Sequence, residues 1–444
     1  MPPVCRRLLY SESMRPVLSL ALILAAAAAL AQDPRSPDPK VRIRAARELA
    51  KQGSEAILKL QPLLKDPVVD VRVEAVKAII EIGGIRTLNP LIEATRDNDA
   101  EIQIRATDGL VNFFLPGYAK TGGGLTASIK RAGDALKARF TDTNDQVIDA
   151  FLDVRPEVVA AIGKLASSSP SLDARANAAR AIGTLRGRAA LPDLYEALRS
   201  KDSRLIYESL IAIQKIRDPS AGPRVTFLLR DFDEKVQTTA IETVGLMRTK
   251  EALPDLRRVL DEARDAKVRR AALSAIAQIP DEGNRKSFVA FLGDKDDGLR
   301  AAAAEGLGRL KNPSDRPLLD KAFNEERRMN ARLALAFALV NLGSRDTSEF
   351  APLTYLVNSL ASKSWRGVAS GYLVELTRDP AVRQALYRWA PNWSRDEKIE
   401  VARILAQSGD KDSLPLLEGL AKDGDSAVAQ EGLRALRSVK ARHP

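Results

Sequence analysis

The sequence predicts an all-α protein, a right-handed α-solenoid of about a dozen two-helix units. Three observations carry this. First, a string of the form Val-Arg-x-x-Ala-x-x-Ala-Leu recurs, as VRIRAARELA from Val41, VRVEAVKAII from Val71 and LRAAAAEGLG from Leu299. Its second position falls at Arg42, Arg72, Gln103, Arg175, Ile206, Gln237, Arg269, Arg300, Arg332, Arg366, Lys398 and Ala429, at spacings of 30 to 34 residues outside one gap of 72. Second, the apolar face of these segments is shallow. In DARANAARAIGTLRG, residues 173–187, Ala174, Ala178, Ala181 and Ile182 share one helical face with little bulk on it. Third, the 444 residues, 45% of them hydrophobic, exceed what one core usually organises, which is roughly 250–300 residues.

Each unit reads as helix A followed by helix B. Helix B is the recurring string. Helix A carries signatures such as ALPDLYEAL from Ala190 and ALPDLRRVL from Ala252. Pro90, Pro192, Pro223, Pro254, Pro317, Pro352 and Pro415 stand 13 to 15 residues before their B position. Proline suits a first helical turn, whose N–H groups have no partner inside the helix. Turns such as SKDS and DKDD supply capping residues. Small side chains let neighbouring B helices approach at the low end of ~8–10 Å. Stacked units then share a core that no single unit has.

These residues resemble HEAT repeats, in particular the short alanine-rich subtype named after phycobilisome lyases. Asp297 to Gly308, with the Leu-Pro-x-Leu of helix A, carries the likeness. The resemblance implies the fold and little about activity, since such repeats serve enzymes, adaptors and spacers alike.

Residues 1–31 read as a signal peptide, with residues 1–13 an upstream extension if Met14 is the start. Arg15 precedes an apolar run, Val17 to Leu30, and Ala29-Leu30-Ala31 places cleavage before Gln32. The run is shorter than the ~20 residues of a stable membrane span. The expectation is export to a periplasmic or extracellular space, with no transmembrane span after cleavage. Cys5 would leave with the signal, giving a mature chain without thiols. The net charge would fall from +11 to +9. Repeats are expected over 32–114 and 155–440, with a short tail at 441–444. Between them, 115–154 reads as an insertion. It contains Gly122-Gly123-Gly124 and a short amphipathic helix bearing Lys130, Arg131, Lys137 and Arg139.

Two places break the regularity and are the candidate partner-binding sites. One is the insertion with its four cations. The other holds all three tryptophans, Trp365, Trp389 and Trp393, together with Tyr372 and Tyr387. Such rings serve either as binding anchors or as packing. The recurrent arginines Arg42, Arg72, Arg175, Arg269, Arg300 and Arg332 read instead as structural, bridging to acids of neighbouring units. Aspartates such as Asp38, Asp173 and Asp297 would cap the B helices.

No catalytic, metal or cofactor residues are predicted. The one histidine, His443, is next to last, so zinc, iron and Ser-His-Asp constellations lack their ligands and bases. The same count argues against the HEAT-like hydroxylases that hold iron through His-Glu pairs. The position five beyond the recurring arginine, expected to face outward, reads Arg47, Lys77, Asp108, Arg180 and onward to Glu305, Phe337 and Arg434. Its mixed sign argues against nucleic acid. The sequence thus predicts an exported, non-catalytic scaffold or adaptor for a protein or cell-envelope component, not an enzyme, and without cofactors. The alternatives are an enzyme-associated module of the bilin lyase kind and a nucleic-acid-binding solenoid.

Overall fold

The computed structural model describes residues 33–118, 146–149 and 151–443. Among them are α-helices, short 3-10 turns and no strand. The first helix, Pro39–Ala50, is a B helix without an A partner, and A and B helices then alternate. Most A helices are short. Leu191–Ala197, Leu253–Glu262 and Leu414–Leu420 each hold their proline in the first turn. Where Pro223 stands, helix A is instead two 3-10 pieces, Pro219–Arg224 and Thr226–Arg230.

The chain divides into two compact units. One comprises residues up to 137 with 155–181, and the other 138–154 with 182–444. The boundary falls inside the B helix Leu172–Thr184, within the alanine-rich stretch. Ala174, Ala178 and Ala181 are fully buried, as is Ala303. In the second unit a Cβ added at Gly183 would lie 2.7 Å from the Cα of Ala212. Gly245 meets Ala275 at 2.8 Å and Gly308 meets Ala338 at 2.5 Å in the same way. Each pair joins consecutive B helices. The missing bulk is what lets them touch.

Caps and arginines fix the turns. Asp38, Asp99, Asp202, Asp233, Asp265, Asp296 and Asp425 accept backbone N–H groups at the starts of B helices. Asp173 and Asp297 are not caps. They sit one or two residues inside, behind Ser171 and Asp296. Arg42 donates to the carbonyl of Ser36 in its own turn and to Asp66 in the next, at 2.8 and 2.6 Å. Arg72 does the same with Asp66 O and Asp97, and Arg300 with Asp294 O and Glu326. The other three arginines depart from the pattern. Among the described residues Arg175 reaches the Ala166 carbonyl and no acid of a neighbouring unit. In place of Arg269, Arg270 bonds Asp296. Arg332 lies over the rings of Phe323 and Tyr355, at 5.0 and 4.9 Å.

Candidate functional site

The B helices of the second unit end on one continuous groove. Three cavities make it up, of about 690, 390 and 320 Å³. Arg378 borders all three. Arg217 and Leu246 join the first to the second, and Arg248, Arg309 and Glu375 join the second to the third. At the wide end the last helix, Ser426–Arg442, meets the segment that closes the insertion. Arg434 Nε donates to Asp149 at 2.8 Å. The Ile148 N–H bonds the Thr184 carbonyl at 3.0 Å, and Lys215 reaches the Gln146 carbonyl.

The groove is predominantly cationic. Its middle is an ordered ion cluster in which Arg309 bonds Glu305 at 2.8 Å and Glu375 at 3.0 Å, while Arg248 also reaches Glu375. Desolvation pulls the Arg309 guanidinium down, but the two glutamates outweigh it and hold it firmly charged. Desolvation pushes the Glu375 carboxyl up, and Arg309 more than reverses that. Tyr372 OH donates to Glu305 at 2.7 Å and its ring stacks on Phe337. Burial, and Glu305 beside it, push the Tyr372 phenol well above its ordinary range. Arg345 pairs with Asp379, and Arg403 with Glu431. Arg186, Arg217, Lys311 and Arg378 are exposed on the groove wall, and among the described residues their side chains make no ion pair or hydrogen bond. Burial and the neighbouring Arg217 push the Arg186 guanidinium down.

Of the candidate partner-binding residues that are described, only Tyr372 lines this groove. Tyr372 and Trp393 are buried, 8% and 5% exposed, so both pack between helices. Tyr387 is half-buried and bonded to Ser413, and Trp365 and Trp389 are half-buried. Lys130, Arg131, Lys137 and Arg139 lie outside the described residues. The position five beyond the recurring arginine does not face outward uniformly: Arg47, Glu242, Arg403 and Arg434 are exposed. Asp108, Arg180 and Phe337 are buried there, and Ile211, Glu305, Arg403 and Arg434 line the groove. The cationic wall went unread because its residues stand elsewhere. Arg186, Arg217, Arg248 and Lys311 each follow their B position by eleven residues, just past the helix end.

Comparison with known proteins defines the class. The HEAT repeat family model matches residues 25–111, 159–231, 223–288 and 259–340, more than half of the chain. This chain belongs to the HEAT repeat family. It is similar to deoxyhypusine hydroxylase-B of rice, Oryza sativa subsp. japonica, 24% identical over 286 residues that cover 60% of this chain and 87% of the rice protein. Among solved structures it is similar to the phycocyanin lyase complex of a Nostoc species, at 19% identity and TM-score 0.33, covering 59% of this chain and 90% of that one. It is also similar to human deoxyhypusine hydroxylase, at 16% identity and TM-score 0.25, covering 67% and 92%.

The rice relative corrects one expectation. It is named as an enzyme, so the reading of this chain as a non-enzyme does not stand. The reasoning behind that reading reached too far. A single histidine removes particular ligand sets and bases, but carboxylate, lysine and serine chemistry on the same repeats does not depend on histidine.

Proposed function

We propose that this protein is an exported HEAT-repeat adaptor that holds a segment of a partner protein in the groove of its second unit. The observation that carries the reading is the groove itself. It is long, continuous and lined by both charged and amide side chains, whereas in the aromatic stretch Tyr372 and Trp393 are committed to packing. Export rests on the apolar run Val17 to Leu30 and the small residues Ala29 and Ala31. No described helix is long and apolar enough to cross a membrane.

The test is capture in place. A photo-crosslinker at Gln407 in the groove should trap a partner from the native envelope fraction. The same group at Phe232, which is fully exposed and borders none of the three cavities, should not. N-terminal sequencing of the natural protein should begin at Gln32 or within a few residues. A protein retaining Met14 in the cytoplasm would remove the envelope from this reading.

A further inference from the structure

One backbone position recurs in seven of the twelve units with an unusual demand. Eleven residues past the B position the chain leaves the helix through the left-handed region, where a side chain is disfavoured and glycine is the usual occupant. Gly53, Gly83 and Gly343 fill it at φ of 75°, 65° and 99°. Arg186, Arg217, Arg248 and Lys311 fill it at 49°, 57°, 53° and 55°. These four are all the non-glycine residues at positive φ among the described residues. Every one is a cation, and every one borders the groove.

The turn itself does not ask for a cation. At Arg186, Arg248 and Gly343 the following N–H reaches back five residues, to Ile182, Val244 and Leu339, so glycine and arginine close the same turn. A cation at a helix C-terminus is favoured by the helix dipole. Any residue of the last turn satisfies that preference at ordinary φ. Strain held at repeated equivalent positions points to a use for the side chain. None of Arg186, Arg217 and Lys311, nor Arg378 on the same groove, makes an ion pair or hydrogen bond among the described residues; Arg186 lies between the charges of Arg217 and Asp149, and Arg378 near Glu375.

We infer that this wall binds an extended acidic segment of a partner protein, with carboxylates at every third residue. The inference deepens the adaptor reading and rests on it. The spacing follows from geometry: B helices stack ~8–10 Å apart, and an extended chain advances roughly 3.3–3.6 Å per residue. Three residues therefore match one layer. The wall skips one step, where Ile279 and Pro280 end the helix at φ −108°. A polypeptide fits better than a nucleic acid. Glu305, Glu375, Asp379 and Glu431 share the groove, and a phosphate at every unit would meet them. A peptide presents neutral amides between its acids, and Gln278, Asn341 and Gln407 can bond these.

The full mature chain should be titrated by fluorescence anisotropy with a labelled peptide of about twelve residues bearing glutamate at every third position. Comparison probes are a peptide of the same composition with its glutamates contiguous, and an oligothymidylate of equal length. The periodic peptide should bind more tightly than either, and less tightly as salt rises. Combined Arg186→Gly, Arg217→Gly and Lys311→Gly should weaken it by roughly tenfold or more. The melting temperature should hold or rise, because glycine relieves the backbone. Undiminished binding to that variant, or a contiguous peptide or oligothymidylate bound as tightly, overturns the inference. Failure here with a partner still trapped at Gln407 removes the acidic segment and leaves the adaptor. Peptide binding with no envelope partner trapped does the reverse.

Discussion

At Gly308 a single methyl group would stand 2.5 Å from the Cα of Ala338, closer than any Cβ settles against backbone. Gly308→Ala should therefore force two B helices apart and cost about 1–3 kcal/mol in urea unfolding. Gly371, in the middle of Arg366–Leu376 with nothing within 4 Å of an added Cβ, is the matched control. There alanine should stabilise by up to about 1 kcal/mol through helix propensity alone. Equal effects at the two sites would refute the close approach. The buried Trp393 belongs with the packing residues, and Trp393→Ala should cost about 3–5 kcal/mol. The alanine surface was legible because burial of small residues leaves a periodic trace. Glu305 was not. Its bond to Arg309 is a local pair four residues apart, but its bond to Tyr372, 67 residues away, joins different repeats, and no local pattern records it.

The turns between helices carry the acid sensitivity of the fold. Desolvation pushes the Asp66 carboxyl up, but Arg42 and the Val68 amide outweigh it and hold it below its ordinary range. Glu326 is held low in the same manner by Arg300 and the amides of Arg327 and Arg328. Arg270 holds Asp296 low more directly. A carboxyl whose folded value lies below its unfolded value stabilises the fold above the latter, about 3.9 for Asp and 4.3 for Glu. That contribution is lost as pH falls through the folded value. The melting temperature should thus be flat from neutrality to about pH 5 and fall steeply below about pH 4. Asp66→Asn should start lower and show a shallower acid limb, and a limb as steep as the parent's would contradict the role given to this pair. At this scale the alternation of A and B helices was legible in the sequence. Asp297 was misplaced because a cap and the residue behind it are both commonly acidic, and Asp173 because Ser171 supplies the side-chain acceptor two residues earlier. Arg42, Arg72 and Arg300 each bond an acid of the next unit, while Arg332 lies over rings and Arg270 stands in for Arg269.

For the molecule as a whole, repetition made the architecture legible and hid the site. Every unit writes nearly the same string, so departures such as the tryptophans drew notice, while the cations Arg186, Arg217, Arg248 and Lys311, eleven residues past their B positions, passed as ordinary helix ends. The groove takes its walls from helices far apart in the chain, and Asp149 meets Arg434 across 285 residues. Only the stacked structure brings them together. The central claim is that the groove of the second unit is where a partner is held. Crosslinking from Gln407 and from Phe232, each in the full-length protein in its native compartment, tests that most directly. The account predicts one partner trapped from Gln407, through a peptide with acids at every third position, and none from Phe232. A partner trapped from Phe232 alone, or from neither site, would contradict it.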